Sequence, residues 1–99
     1  MDELEVRPGV VLTEIHGVYL LVADREAREH CPYIRRINAP GALVWYGILS
    51  GMSRREIVRR IRQEYEIPDG TDPGADVDSF LKTLREDNYI LCEGGRHEI

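Results

Sequence analysis

The stretch NAPGALVWYGILSG, residues 38–51, is the most apolar window of the chain and holds its single tryptophan, Trp45. Helix punctuation marks both of its ends. The Asn38 side chain suits the free N–H groups of a first turn, and Pro40 is tolerated there. Gly51 can take the left-handed conformation that stops a helix. Between them, Ala42, Leu43, Val44, Trp45, Ile48 and Leu49 leave little room for a polar face, so the helix belongs in the middle of a small core. At about a dozen residues it is far too short to cross a bilayer. The pattern assigns it packing and no chemistry of its own.

The whole-chain numbers frame that helix. With 99 residues the chain reads as one domain, large enough for a working core but not a large one. A net charge of −5 argues against a general nucleic-acid binder, which is usually basic. Two cysteines, Cys31 and Cys92, give no disulfide framework, which points to a reducing, cytoplasmic setting. The N-terminus, Met-Asp-Glu-Leu-Glu-Val, is acidic where a signal peptide is basic and then apolar. No run approaches a membrane span, and neither a repeat nor a low-complexity segment is visible.

Upstream of the helix the pattern is extended. Residues 1–8 are polar and read as a flexible arm ending at Pro8-Gly9. Val10–His16 and Val18–Ala23 are β-branched runs around Gly17, which predicts an antiparallel hairpin with a tight turn. Asp24–Pro32 is charged and reads as a surface loop with room for one helical turn. Tyr33–Ile37 is a short third strand, and its two arginines suit a sheet edge, where charge blunts unwanted pairing.

Downstream the periodicity is helical. Ser53-Arg54-Arg55-Glu56 matches a capping box, and Ile57, Val58, Ile61 and Tyr65 form the buried stripe of a second helix. Asp72-Pro73 opens a third, whose stripe is Val77, Phe80, Leu81 and Leu84. Tyr89–Cys92 is a short apolar run suited to a strand or an extended tail. Residues 93–99 read as a flexible tail, which leaves residues 9–92 as the folded domain. The order predicts an α+β fold: a three-stranded antiparallel sheet followed by a three-helix bundle, winged helix-turn-helix-like in its last helices.

Taken together, the segments Ile37-Asn38, Gly41-Ala42-Leu43-Val44-Trp45, Gly51-Met52-Ser53-Arg54-Arg55-Glu56-Ile57-Val58 and Asp76-Val77-Asp78-Ser79-Phe80-Leu81-Lys82-Thr83-Leu84 resemble the PqqD family, also called the RiPP recognition element. The resemblance covers about residues 9–91. It implies a non-catalytic peptide chaperone that binds the leader of a ribosomally made precursor peptide and presents it to a modifying enzyme, often a radical SAM enzyme. In such domains the leader adds a strand to the third strand's edge and lies against the third helix. The peptide-binding residues implied here are Tyr33, Ile34, Arg35, Arg36 and Ile37 on the strand. On the helix they are Phe80, Leu81, Lys82, Leu84 and Arg85. The four basic residues would meet leader carboxylates, and the apolar ones would wall a pocket.

A rival reading attaches to Arg54, Arg55, Arg59, Arg60 and Arg62. A basic second helix in a winged-helix domain can grip phosphates, which makes a small winged-helix DNA-binding protein the alternative function. A solvated helix face, or a docking patch for an acidic partner, are the other readings of the same residues. His30, Cys31, Cys92 and His97 lack the close pairing of a zinc site. No nucleophile, base and carboxylate grouping and no phosphate loop is visible, so the sequence assigns neither catalysis nor a cofactor. An unpaired strand edge leaves both monomer and homodimer open.

Overall fold

The computed structural model describes residues 4–92. The chain runs β1 (Leu4–Val6), β2 (Val10–Ile15), β3 (Val18–Ala23), one 3₁₀ turn (Ala27–Glu29), β4 (Ile34–Ile37), α1 (Ala39–Leu49), α2 (Arg54–Glu64), α3 (Pro73–Glu86) and β5 (Ile90–Cys92). Strands β2, β3 and β4 form an antiparallel sheet in that order, and the three helices cover one of its faces. The expected α+β architecture is therefore the observed one. The β2–β3 hairpin closes at His16 and Gly17, with φ of 52° and 81°, the two left-handed residues that match the natural strand twist.

Alternation sorts the sheet. Val10, Leu12, Tyr19, Leu21, Ala23 and Ile37 point at the helices and join or border the core. In α1, Asn38 Oδ1 accepts the Gly41 N–H at 2.8 Å, a cap worth about 1 kcal/mol. Trp45 is fully buried at the centre of the core. The helix is not apolar on every side in its use, however: Tyr46 and Leu49 are half exposed, because α1 is covered by β1, α2 and α3 but not all the way round. At Gly47 an added Cβ would lie 2.8 Å from Ile57 Cγ1, so glycine sets the close approach of α1 and α2.

The capping box of α2 is complete. Ser53 N–H donates to Glu56 Oε1 at 2.9 Å, and Glu56 N–H donates to Ser53 Oγ at 3.2 Å. Tyr65 leaves the expected buried stripe because the helix ends at Glu64 and Tyr65 is already extended. Asp72 caps α3 by accepting the Gly74 N–H at 3.0 Å. Arg54 holds α2 to α3 through both carboxylate oxygens of Asp78, at 2.5 and 2.9 Å.

Of the N-terminal arm expected over residues 1–8, residues 1–3 lie outside the described residues, and Leu4–Val6 form a strand. It pairs with β5 in a second, two-stranded sheet, with Leu4 opposite Cys92 and Val6 opposite Ile90. Leu4 and Val6 rest against the core, and Arg7 Nε donates to the Asn88 carbonyl 81 residues away at 2.6 Å. Three residues carry too short an alternation to announce a strand whose partner is at the far end of the chain. The segment 93–99, expected as a flexible tail, lies outside the described residues.

Candidate functional site: a free strand edge beside a helix

Strand β4 ends the sheet, and among the described residues no strand pairs with its outer edge. Its register with β3 sets Ile34, Arg35, Arg36 and Ile37 opposite Val22, Leu21, Leu20 and Tyr19. One step before β4, the Ala23 N–H donates to the Tyr33 carbonyl at 2.8 Å. In an antiparallel ladder bonded pairs alternate with unbonded ones. Tyr33, Arg35 and Ile37 therefore turn their main-chain groups toward β3. Ile34 and Arg36 turn theirs outward, leaving two N–H donors and two carbonyl acceptors for an incoming chain. The side chains follow the same alternation: Arg35 and Ile37 lean toward the helices, Ile34 and Arg36 toward the opposite face.

The end of α3 fixes this edge in place. Three consecutive residues reach across to β4 and the segment that leads into it. Asp87 pairs with Arg35. Asn88 Nδ2 donates to the His30 carbonyl at 2.8 Å, from a left-handed backbone with φ of 65°. The Tyr89 hydroxyl donates to the Pro32 carbonyl at 2.9 Å. Burial pushes the Tyr89 phenol up to about 12. Burial also raises the Cys31 thiol, whose Sγ donates to the Ala27 carbonyl at 3.2 Å, so Cys31 is an inert packing group in this loop. At the start of the edge Tyr33 is exposed, with the Arg28 guanidinium 4.3 Å over its ring.

The helix flank that faces β4 is set by contacts. Phe80 lies against Gly41, where an added Cβ would meet its ring at 3.0 Å, and Asp87 holds Arg35. Helical spacing puts Asp76 and Thr83 on that same flank. Asn38, Pro40, Gly41, Val44, Ile61, Asp76, Val77 and Phe80 enclose a pocket of about 250 Å³ just beyond the end of β4. Most of its lining is apolar, and Asn38 and Asp76 are its polar members.

The residues proposed from sequence are thus only partly brought together. Tyr33 to Ile37 form the edge, and Phe80 walls the pocket. Leu81 and Leu84 are core residues, 4% and 0% exposed, and are not open to a ligand. Lys82 and Arg85 stand on the other flank of α3, the side on which Asp78 meets Arg54; Arg85 helps hold the Asp78 carboxyl below its usual range, after the larger effect of the Arg54 hydrogen bond. Arg35 is already engaged by Asp87. The groove wall consists of Asp76, Phe80, Thr83 and Asp87, a set spaced at i, i+4, i+7 and i+11 that the sequence displays. What the sequence lacks is the rotation of α3 about its axis, which decides the flank.

Among the described residues no helix is long and apolar enough to cross a membrane. No group of three or more His, Cys, Asp or Glu side chains among them is placed to hold a metal ion. Two of the five α2 arginines are used internally, Arg54 on Asp78 and Arg60 on Glu64 at 3.4 Å.

The fold and the edge define a class: a small winged-helix-like α+β domain with an unpaired strand held beside a helix-walled pocket. The family described as Coenzyme PQQ synthesis protein D (PqqD) matches residues 32–90, and the chain belongs to it. That match takes in β4, all three helices and the start of β5. Two solved structures share the fold. "Lasso peptide synthetase B1 complexed with the leader peptide" aligns with a TM-score of 0.72 at 22% identity, covering 90% of this chain and 98% of that one. "TbiB1 in Complex with the TbiA(beta) Leader Peptide" aligns with a TM-score of 0.69 at 23% identity, covering 91% and 95%. No curated protein matches the chain in sequence.

Proposed function

We propose that this domain is a non-catalytic adaptor that captures the leader of a ribosomally made precursor peptide by strand addition and presents it to a modifying enzyme. The observation that carries the reading is the outward-turned main chain of Ile34 and Arg36 beside the Phe80 pocket. An extended peptide satisfies those four groups, and every second side chain then drops toward α3. Membership of the PqqD family and the leader-bound state of two proteins of the same fold support it. The pocket beyond β4 takes an apolar side chain, with Asp76 favouring a hydrogen-bond donor at its tip. The modifying enzyme is of the radical SAM class on the family resemblance, and the setting is cytoplasmic.

The test is a titration with the leader encoded beside the gene, read by calorimetry and by backbone amide shifts. One-to-one binding with the largest shifts at Ile34, Arg36 and Phe80 is expected. Shifts confined to Arg55, Arg59 and Arg62 would discard the edge as the site.

A further inference from the structure

The sheet carries a second apolar surface that the core does not use. Register places Val11, Val22 and Ile34 side by side, then Thr13, Leu20 and Arg36, then Ile15 and Val18. Side chains directly paired across strands share a face, so all of these stand on the side away from the helices. None of its apolar members belongs to the core or packs against it, and Val11, Ile15 and Ile34 are about half exposed or more. A strand with one face to solvent normally shows polar residues there. Here Thr13 and Arg36 are the polar members.

We infer that this outer face docks the modifying enzyme, through an apolar surface that also brings a carboxylate to Arg36. The inference rests on the leader-binding reading in one respect: a strand added to β4 would place alternate side chains on this same face, so the occupant would touch adaptor and peptide together. Charge selects the occupant. Arg36 has no ion-pair or hydrogen-bond partner among the described residues, and no carboxylate of β2, β3 or β4 lies on its face; Glu14 stands opposite Tyr19 and so on the helix side. Two copies meeting face to face would bury Arg36 against a surface with no countercharge, which is strongly unfavourable. Area agrees. Strands about 4.8 Å apart, two of six residues and one of four at about 3.4 Å each, make a face of roughly 260 Å², well below the ~800 Å² per partner of a stable dimer. A face of this size suits a contact that forms and releases as peptides are handed over.

The test uses the full chain, the leader, and the purified modifying enzyme encoded beside the gene. Val11 and Ile15 lie on β2, away from the receiving edge. The double substitution Val11→Lys/Ile15→Lys is expected to weaken enzyme binding tenfold or more and to leave leader affinity within twofold. Val11→Thr/Ile15→Thr keeps the β-branched shape and is expected to weaken enzyme binding several-fold, with circular dichroism unchanged. Unchanged enzyme affinity in both folded variants overturns the inference. So does a wild-type dimer in sedimentation that the lysine variant converts to monomer, since a second copy then covers the face. If enzyme binding is lost in the variants while the wild type ignores the leader, the docking face stands and the leader reading falls.

Discussion

Arg35 on β4 and Asp87 at the end of α3 form an ion pair that ties the free strand edge to the helix beside it. Both side chains are about one-third exposed, so solvent screens the pair and its worth is about 1 kcal/mol or less. Its position matters more than its strength, because it sets the width of the groove. In a double-mutant cycle with Arg35→Ala and Asp87→Ala, urea denaturation is expected to show a coupling of roughly 0.5–1 kcal/mol. Strictly additive losses would show that the two side chains do not depend on each other.

The ladder phase makes a sharper prediction. Proline at Arg36 deletes an N–H that faces the open edge, where proline is tolerated. Proline at Arg35 deletes one that bonds β3, and also removes the partner of Asp87. Arg36→Pro is expected to cost about 1 kcal/mol or less in stability and to weaken leader binding about tenfold, near the value of one main-chain hydrogen bond. Arg35→Pro is expected to cost about 3 kcal/mol or more in stability. Equal destabilisation by both would mean that the register is shifted by one residue.

The same residues show how far the sequence could be read. Every element between Val10 and Glu86 was legible, because its signal is local: a Gly17 turn, the Asn38 and Ser53 caps, Asp72-Pro73, and stripes of fixed period. The edge at β4 was legible too, since the arginines already marked it. Leu4–Val6 was not, because a three-residue strand is specified by its distant partner β5 rather than by its own pattern. The groove wall was half legible. Phe80 carried an apolar signal, and helical spacing already puts Asp76 and Asp87 on its flank, but nothing local says that this flank, and not that of Lys82 and Arg85, faces β4. That is fixed by packing between α1 and α3, a tertiary fact. The outer sheet face was not legible, because β-branched runs such as Val10–His16 and Val18–Ala23 announce strands without saying what covers their second face.

Gly41 offers a way to close the pocket. An alanine Cβ there would lie 3.0 Å from the Phe80 ring and 3.0 Å from Asn38 Oδ1, so the ring must give by a few tenths of an ångström. Helix propensity favours alanine by about 1 kcal/mol, and the strain of displacing Phe80 offsets it. Gly41→Ala is therefore expected to change stability by less than about 1 kcal/mol while leader affinity falls several-fold. The check is calorimetric titration beside thermal melts. Full affinity in a folded Gly41→Ala would place the anchoring side chain of the leader elsewhere than this pocket.

Tyr89 gives the edge a pH limit. Its phenol is buried, donates to the Pro32 carbonyl, and is raised from 10.0 to about 12 in the folded protein. The folded value lies above the unfolded one, and the protonated form is the one the fold requires. Its contribution is therefore fully present below about pH 10 and declines between 10 and 12, as the unfolded chain ionises first. Two units of pH correspond to a loss of up to about 2–3 kcal/mol. Tyr89→Phe lacks the ionisable group and the hydrogen bond, so it is expected to be about 1 kcal/mol less stable at neutral pH and to lose less on going to pH 12. The difference in unfolding free energy between wild type and Tyr89→Phe, followed from pH 8 to 12 by denaturant titration, should shrink and then reverse sign. A difference that stays constant across that range would mean that the phenol ionises alike in the folded and unfolded chain, and that the contact between the end of α3 and the Pro32 segment does not keep it protonated.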